Sequence, residues 1–117
     1  MVGKEEMTDS QKGYRIIAEV SVIPIGTKKT SLSSYVAIAV KALESVENLK
    51  VELTPMGSIL ESESLATIFE GIEVAHQALF EKGIQRIIST IHLDDRRDKT
   101  RTMTDKTKAV NKLQQFQ

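Results

Sequence analysis

Apolar and polar residues alternate or recur along this chain with two different periods, and the change of period marks out its elements. From Tyr14 to Ile25 the period is two. Ile16, Ala18, Val20 and Val22 fall on one side, and Ile17, Glu19, Ser21 and Ile23 on the other, which predicts a strand closed by Pro24 and Gly26. After a basic loop at Thr27 to Thr30, the period lengthens. Val36, Ala39, Val40, Leu43 and Val46 recur at helical spacing, with Ser31 or Ser33 as the predicted cap and a fade-out at Glu47-Asn48. Leu49, Val51 and Leu53 then alternate with Lys50, Glu52 and Thr54 as a second strand. Pro55, which cannot donate to a ladder, and Gly57, where positive φ is cheap, predict a tight reversal into a short third strand, Ser58 to Leu60. Ser62 or Ser64 caps a second helix whose stripe is Leu65, Ile68, Phe69, Ile72, Ala75 and Leu79, stopped by Gly83. Ile84 to Leu93 is the fourth strand, with Ile87, Ser89, Ile91 and Leu93 on one face and Ile88, Thr90 and His92 on the other. Met103 to Phe116 reads as a polar segment with helical potential and sparse contacts at Met103, Val110 and Leu113.

The order strand, helix, strand, strand, helix, strand predicts an α+β fold, the ferredoxin-like βαββαβ sandwich: a four-stranded antiparallel sheet with two helices on one face. Residues 14–117 form one domain with a polar C-terminal tail, and residues 1–13 a frayed, polar segment. The sheet's other face is left open and carries Glu19, Ser21, Ile23, Thr54, Thr90 and His92 beside apolar residues. A face so mixed is expected to meet a partner subunit, a ligand, or both. Any ligand site is expected near the Pro55–Gly57 hairpin, where two βα-type halves join.

Composition narrows the functional classes. The 117 residues carry 16 basic and 16 acidic side chains, a balance that argues against a general electrostatic grip on nucleic acid or an anionic membrane. Aromatics make up 4% with no tryptophan, too few for a base-stacking surface. The absence of cysteine excludes disulfides and thiolate metal sites. No apolar run is long enough to span a bilayer, and Met1 to Lys12 lacks the apolar core of a secretory signal, so a cytoplasmic protein is expected. A core of this size with few aromatics gains from oligomerisation.

The residues that carry candidate chemistry are few. Glu19, a carboxylate among β-branched residues, reads either as a ligand acceptor or as half of an intersubunit ion pair. Ser31, Ser33 and Tyr35 sit at a helix start, where hydroxyls cap or free amides hold an anion. Met56 and Gly57 are turn residues, and Gly57 would also let a ligand approach the backbone. Glu61 falls just past the third strand. His76 reads as a packed or surface histidine, and His92 as one facing the open sheet. Asp94-Asp95-Arg96-Arg97-Asp98-Lys99 reads as a salt-bridge network more readily than as a phosphate clamp. There is no phosphate loop, no GxGxxG, no HExxH and no nucleophile elbow, so no enzyme, cofactor or metal site is expected.

Three segments together resemble a known family: Glu19-Val20-Ser21-Val22-Ile23-Pro24-Ile25-Gly26 with Ser31-Leu32-Ser33-Ser34-Tyr35-Val36; Leu53-Thr54-Pro55-Met56-Gly57-Ser58-Ile59-Leu60-Glu61; and Ile91-His92-Leu93-Asp94-Asp95-Arg96-Arg97-Asp98-Lys99. Their order and spacing are similar to the small ferredoxin-like thiamine-binding proteins, across roughly residues 14 to 110. The chain departs from the pattern at Ser58, in place of threonine, and at Ser62, in place of glycine. The resemblance implies homodimers pairing into tetramers and non-catalytic binding of thiamine or its hydroxymethylpyrimidine half, for salvage, storage or transport. It implies a site near the open sheet face and subunit interface. The residues matched to that role are Glu19, Ser21, Ser33, Thr54, Glu61 and Thr90 as polar contacts, and Ile23, Tyr35, Met56 and Gly57 as the slot. The alternative expectation is a regulatory or structural oligomer holding another small effector between subunits.

Overall fold

The computed structural model describes residues 16–98 and 103–115. The segment 1–13 expected to fray, the Tyr14 strand start, Lys99 and Phe116 lie outside the described residues. The elements are β1 (Ile16–Pro24), α1 (Ser33–Glu44), β2 (Lys50–Thr54), β3 (Gly57–Ser62), α2 (Leu65–Phe80), β4 (Ile87–Asp95) and α3 (Met103–Gln114). The strands form one antiparallel sheet in the order β2-β3-β1-β4, which is the ferredoxin-like arrangement predicted from the periods.

Alternation in β1 sorts its side chains as expected. Ile16, Ala18 and Val20 are buried beneath α1 and α2, where they join Leu60 of β3. From the helices Ala39, Leu43, Ile68, Ala75 and Leu79 close this core. Of the predicted α2 stripe, Phe69 departs: it is 49% exposed, because the face it shares with His76 and Phe80 turns toward β4 rather than the core centre. Gly71 lets α2 approach α1 and the start of β2 closely. A Cβ there would lie 2.5 Å from a Leu49 methyl and 3.3 Å from one of Leu43.

Several boundaries differ from the sequence reading. β3 runs from Gly57 to Ser62, so Glu61 is a strand residue and 3% exposed rather than a loop residue past the strand end. β4 begins at Ile87, not Ile84. Ile84 is buried but precedes the ladder, after the chain turns through Gly83 at φ +90°. The α2 cap is Ser64, whose hydroxyl accepts from the Thr67 N–H at 3.3 Å. The α1 cap position is Leu32, which has no capping side chain. Ser33 is already the first helical residue, and its N–H reaches Ser31 Oγ at 3.4 Å. The open sheet face is also partly roofed: α3 lies across it and buries Met103 near Ile17 and Ile59.

The hairpin between β2 and β3 has Pro55 and Met56 as its central residues, between the paired Thr54 and Gly57. Gly57 is not needed for positive φ. Among the described residues only Gly26, Gly83 and Asn48 take that conformation. Its need is steric, because a Cβ at Gly57 would sit 2.9 Å from the Val20 carbonyl oxygen. Thr54 locks the turn, its hydroxyl donating to the Gly57 carbonyl at 2.8 Å and accepting from the N–H groups of Met56 (3.3 Å) and Gly57 (3.2 Å).

Two stability predictions follow from this geometry. Gly57→Ala forces β1 and the hairpin apart and is expected to cost about 1–3 kcal/mol in urea denaturation. Ser64→Ala is expected to cost about 1 kcal/mol, while Ser33→Ala, which removes no helix cap, stays within about 0.5 kcal/mol of the parent. Equal losses for the two serines would contradict the cap assignment.

Candidate functional site

Neighbouring strands contact β1 unequally. On its β4 side it is paired along its whole length, from Ile16↔Asp95 to Pro24↔Ile87. On its β3 side the ladder runs only from Ile16↔Ser62 to Val20↔Ser58, because the hairpin turns back at Pro55-Met56. Residues 21–24 therefore run past the hairpin with a bare edge. Beside that edge, between the hairpin and the start of α1, lies a groove of about 340 Å³.

The direction of the backbone groups in this groove follows from ladder phase. Antiparallel pairs alternate between hydrogen-bonded and non-hydrogen-bonded. The Ile25 N–H donates to the Arg86 carbonyl at 2.8 Å, so odd residues at this end of β1 turn their main-chain groups to β4 and even residues turn theirs to β3. The approach of the Val20 carbonyl to Gly57 agrees with this phase. Beyond Val20 the next even residue is Val22. Its N–H and C=O point into the groove as an adjacent donor and acceptor, past the last residue of the β3 ladder.

The walls are apolar, formed by Val22, Ile23, Leu32, Val36, Leu53 and Met56, with Ala39 and Leu43 at the floor. None of the lining residues is ionisable. Ser21 and Ser58 are among the lining residues, and Ser58 is itself 7% exposed. Thr54 also lines it, with its hydroxyl committed to the turn. At about 340 Å³ the groove lies at the lower end of the range for small-molecule sites.

Five of the sequence candidates meet here: Ser21, Ile23, Thr54, Met56 and Gly57. Five stand apart. Glu19 lies on the open face over Gly57, its Cγ 3.7 Å from where that residue's Cβ would be, and its carboxylate is 3.5 Å from His92 Nδ1. Thr90 is exposed on the same face opposite Ser21. Glu61 is buried in β3 opposite Ile17 and Lys50, and its carboxylate is engaged within the chain. Ser33 is exposed in the first turn of α1, and Tyr35 packs against the core. Ser58, Leu32 and Val36 were not singled out from sequence. The available signal was Ser58, a serine beside the turn and in phase with the buried Leu60.

Elsewhere the expected ion pairs are present. Arg96 binds Asp98 through two nitrogens at 2.6 and 3.1 Å, which raises the guanidinium pKa above its usual value, and Arg97 binds Asp95 at 3.0 and 2.9 Å. Lys106 of α3 holds Asp94. His76 lies 2.6 Å from the Ser89 hydroxyl, tying α2 to β4. Among the described residues no three His, Asp or Glu side chains converge as a metal site, and no helix is long and apolar enough to cross a membrane.

Known proteins share this architecture. A UPF0045 protein of Methanothermobacter thermautotrophicus is 46% identical over 95 residues, covering 81% of this chain and 95% of that one. A crystal structure from Methanocaldococcus jannaschii superposes with a TM-score of 0.75 at 36% identity, covering 84% of this chain and 97% of that one. One from Thermotoga maritima, described as a candidate thiamine biosynthesis or salvage protein, shares the fold with a TM-score of 0.67 at 17% identity, over 82% of this chain and 98% of its own. Residues 18–111 match the family described as thiamine-binding protein, and with the relatives above this places the chain in that family.

Proposed function

We propose that the groove beside the bare edge of β1 binds the aminopyrimidine ring of thiamine or of free hydroxymethylpyrimidine, without catalysing a reaction. The observation that carries this reading is the Val22 N–H and C=O pair set in an apolar slot with no ionisable lining residue. An aminopyrimidine offers an exocyclic amine donor next to a ring-nitrogen acceptor. Laid against Val22, the amine donates to the carbonyl and the ring nitrogen accepts from the N–H, as a further strand would. The Ser58 hydroxyl reaches a remaining polar atom, and Met56, Ile23 and Val36 cover the ring faces. Glu19, over Gly57 at the open-face rim, is the carboxylate we assign to the cationic thiazolium when the whole vitamin binds. Membership in a family described as thiamine-binding supports the ligand class. The role that fits such a binder is salvage, storage or transport of the cofactor or its precursor, in the cytoplasm and as a homo-oligomer.

Calorimetric titration of thiamine, hydroxymethylpyrimidine and thiamine phosphates tests this. Saturable binding is expected for the unphosphorylated compounds. Ligand at ~100 times its dissociation constant is expected to raise unfolding stability by about 2.7 kcal/mol. The 4-oxo analogue of hydroxymethylpyrimidine, which replaces the amine donor by an acceptor opposite the Val22 carbonyl, is expected to bind at least ~10-fold more weakly, the cost of one unpaired buried group. Absence of heat and of thermal shift with every compound, in folded protein, would remove the proposal.

Filling the groove gives a second test. Val36→Phe places a ring in the slot from a residue that is 36% exposed, so the fold is expected to survive while affinity falls by about tenfold or more. Unchanged affinity in a folded Val36→Phe protein would move the site away from the groove.

A further inference from the structure

Ser58 brings the groove a hydroxyl that the fold leaves unused. It stands opposite Val20 in β1 and Leu53 in β2, in phase with the buried Leu60, so its side chain is on the helix side of the sheet. Those three neighbours are apolar, and the residue is only 7% exposed. Among the described residues the Thr54 hydroxyl makes three bonds within the turn, whereas that of Ser58 has no hydrogen-bond partner. A hydroxyl buried to this degree is ordinarily paired, because leaving it unpaired is costly. Alanine would fill the same place without that cost. Strand direction sets where the hydroxyl falls. β1 runs from Val20 toward Pro24, and along a strand each residue's N–H precedes its C=O. From the hairpin outward the groove therefore offers the Ser58 hydroxyl, the Val22 N–H and the Val22 C=O: donor, donor, acceptor.

We propose, resting on the Val22 contacts assigned to aminopyrimidines above, that the groove takes a second ligand class, the 4-amino-2-oxopyrimidine ring of cytosine, and that Ser58 reads its 2-oxo group. The amine of this ring donates to the Val22 carbonyl, N3 accepts from the Val22 N–H, and the 2-oxo oxygen accepts from Ser58. Acceptor, acceptor and donor lie side by side on one edge of the ring, in the order the groove requires. Hydroxymethylpyrimidine matches two of the three: its position 2 carries a methyl group, and Ser58 must reach past it to N1. Uracil keeps only the 2-oxo contact. Its 4-oxo group meets the Val22 carbonyl and its N3–H meets the Val22 N–H, two pairs of like groups. With no ionisable residue in the lining, a neutral base or nucleoside fits, and a nucleotide's phosphate gains no partner there. The even charge balance that disfavours a polyanion places no such bar on a single neutral ring.

Calorimetric titration of the parent with cytosine, cytidine, uracil and 4-amino-2-methylpyrimidine tests this. Cytosine is expected to bind saturably, about tenfold more tightly than 4-amino-2-methylpyrimidine and about 100-fold more tightly than uracil. It should also be displaced by 4-amino-2-methylpyrimidine, because both occupy one groove. Cytidine binding alongside cytosine makes the nucleoside a ligand, and cytosine binding alone makes it the free base; both support the 2-oxo contact. Ser58→Ala removes an unpaired hydroxyl and is expected to fold as the parent does, checked by circular dichroism and thermal melting. Its preference for cytosine over 4-amino-2-methylpyrimidine should fall from about tenfold to near parity. A preference that survives in folded Ser58→Ala would overturn the assignment of Ser58. Equal affinity of the parent for the two rings would do so without any variant, and cytosine that binds but is not displaced lies outside the groove. Failure of cytosine where thiamine or hydroxymethylpyrimidine binds would overturn this inference and leave the aminopyrimidine site standing, whereas failure of all of them removes both.

Discussion

The organisation of this protein depends on where the β2–β3 hairpin stops beneath β1. Gly57 brings the hairpin against the Val20 carbonyl at a distance no other residue permits, and Thr54 ties the turn closed with its own hydroxyl. The ladder between β1 and β3 therefore ends at Val20, while that between β1 and β4 continues to Pro24. A central strand that loses one neighbour part-way along its length becomes, for a few residues, an edge. Here that edge is sheltered by α1 and the hairpin and not left to open solvent. It keeps the hydrogen-bonding groups of a strand in surroundings that suit an apolar ring.

The groove consequently offers main-chain groups and no charge. The ionisable side chains nearest in sequence are sent elsewhere by strand alternation. Glu19 falls on the open face with His92, and Glu61 lies buried on that same face opposite Ile17. The charged cluster after β4 is occupied internally, with Arg96 on Asp98, Arg97 on Asp95 and Lys106 on Asp94. A phosphate would find no cation among the groove's lining residues, whereas a neutral heterocycle with adjacent donor and acceptor meets the geometry of a missing strand.

Fold was legible in the sequence because the periods were long and consistent: eight alternating residues in β1 and a clear helical stripe from Leu65 to Leu79. The candidate groove was legible in part. The hairpin was located by Pro55 and Gly57, and Ser21, Ile23, Thr54, Met56 and Gly57 do line one groove. Alternation alone assigned Ser21 and Ile23 to the open face. It could not show that a strand running past its neighbour presents an edge as well as two faces. Glu61 was misplaced because its strand outlasts the short apolar run Ser58–Leu60, an extension set by pairing with Ile17 and Lys50. Phe69 counted as core by spacing, yet a helix lying near the margin of a sheet has one apolar flank that the other described residues leave half exposed.

Pro24 connects these features. Proline lacks an N–H, and in a central strand it ordinarily breaks a ladder. Here its position opposite Ile87 is a non-hydrogen-bonded one toward β4, so the missing N–H faces the side where β3 has already ended. No ladder bond is lost. The same phase that makes this proline harmless directs Val22 into the groove and turns Ile87, Ser89, Ile91 and Leu93 toward the free edge of β4. A phase shift of one residue would place Pro24 where it breaks the β4 ladder, withdraw the Val22 pair from the groove and reverse the outward set of β4. Groove chemistry and edge chemistry are thus two consequences of one hydrogen-bonding phase, held in place by a residue that cannot occupy the other.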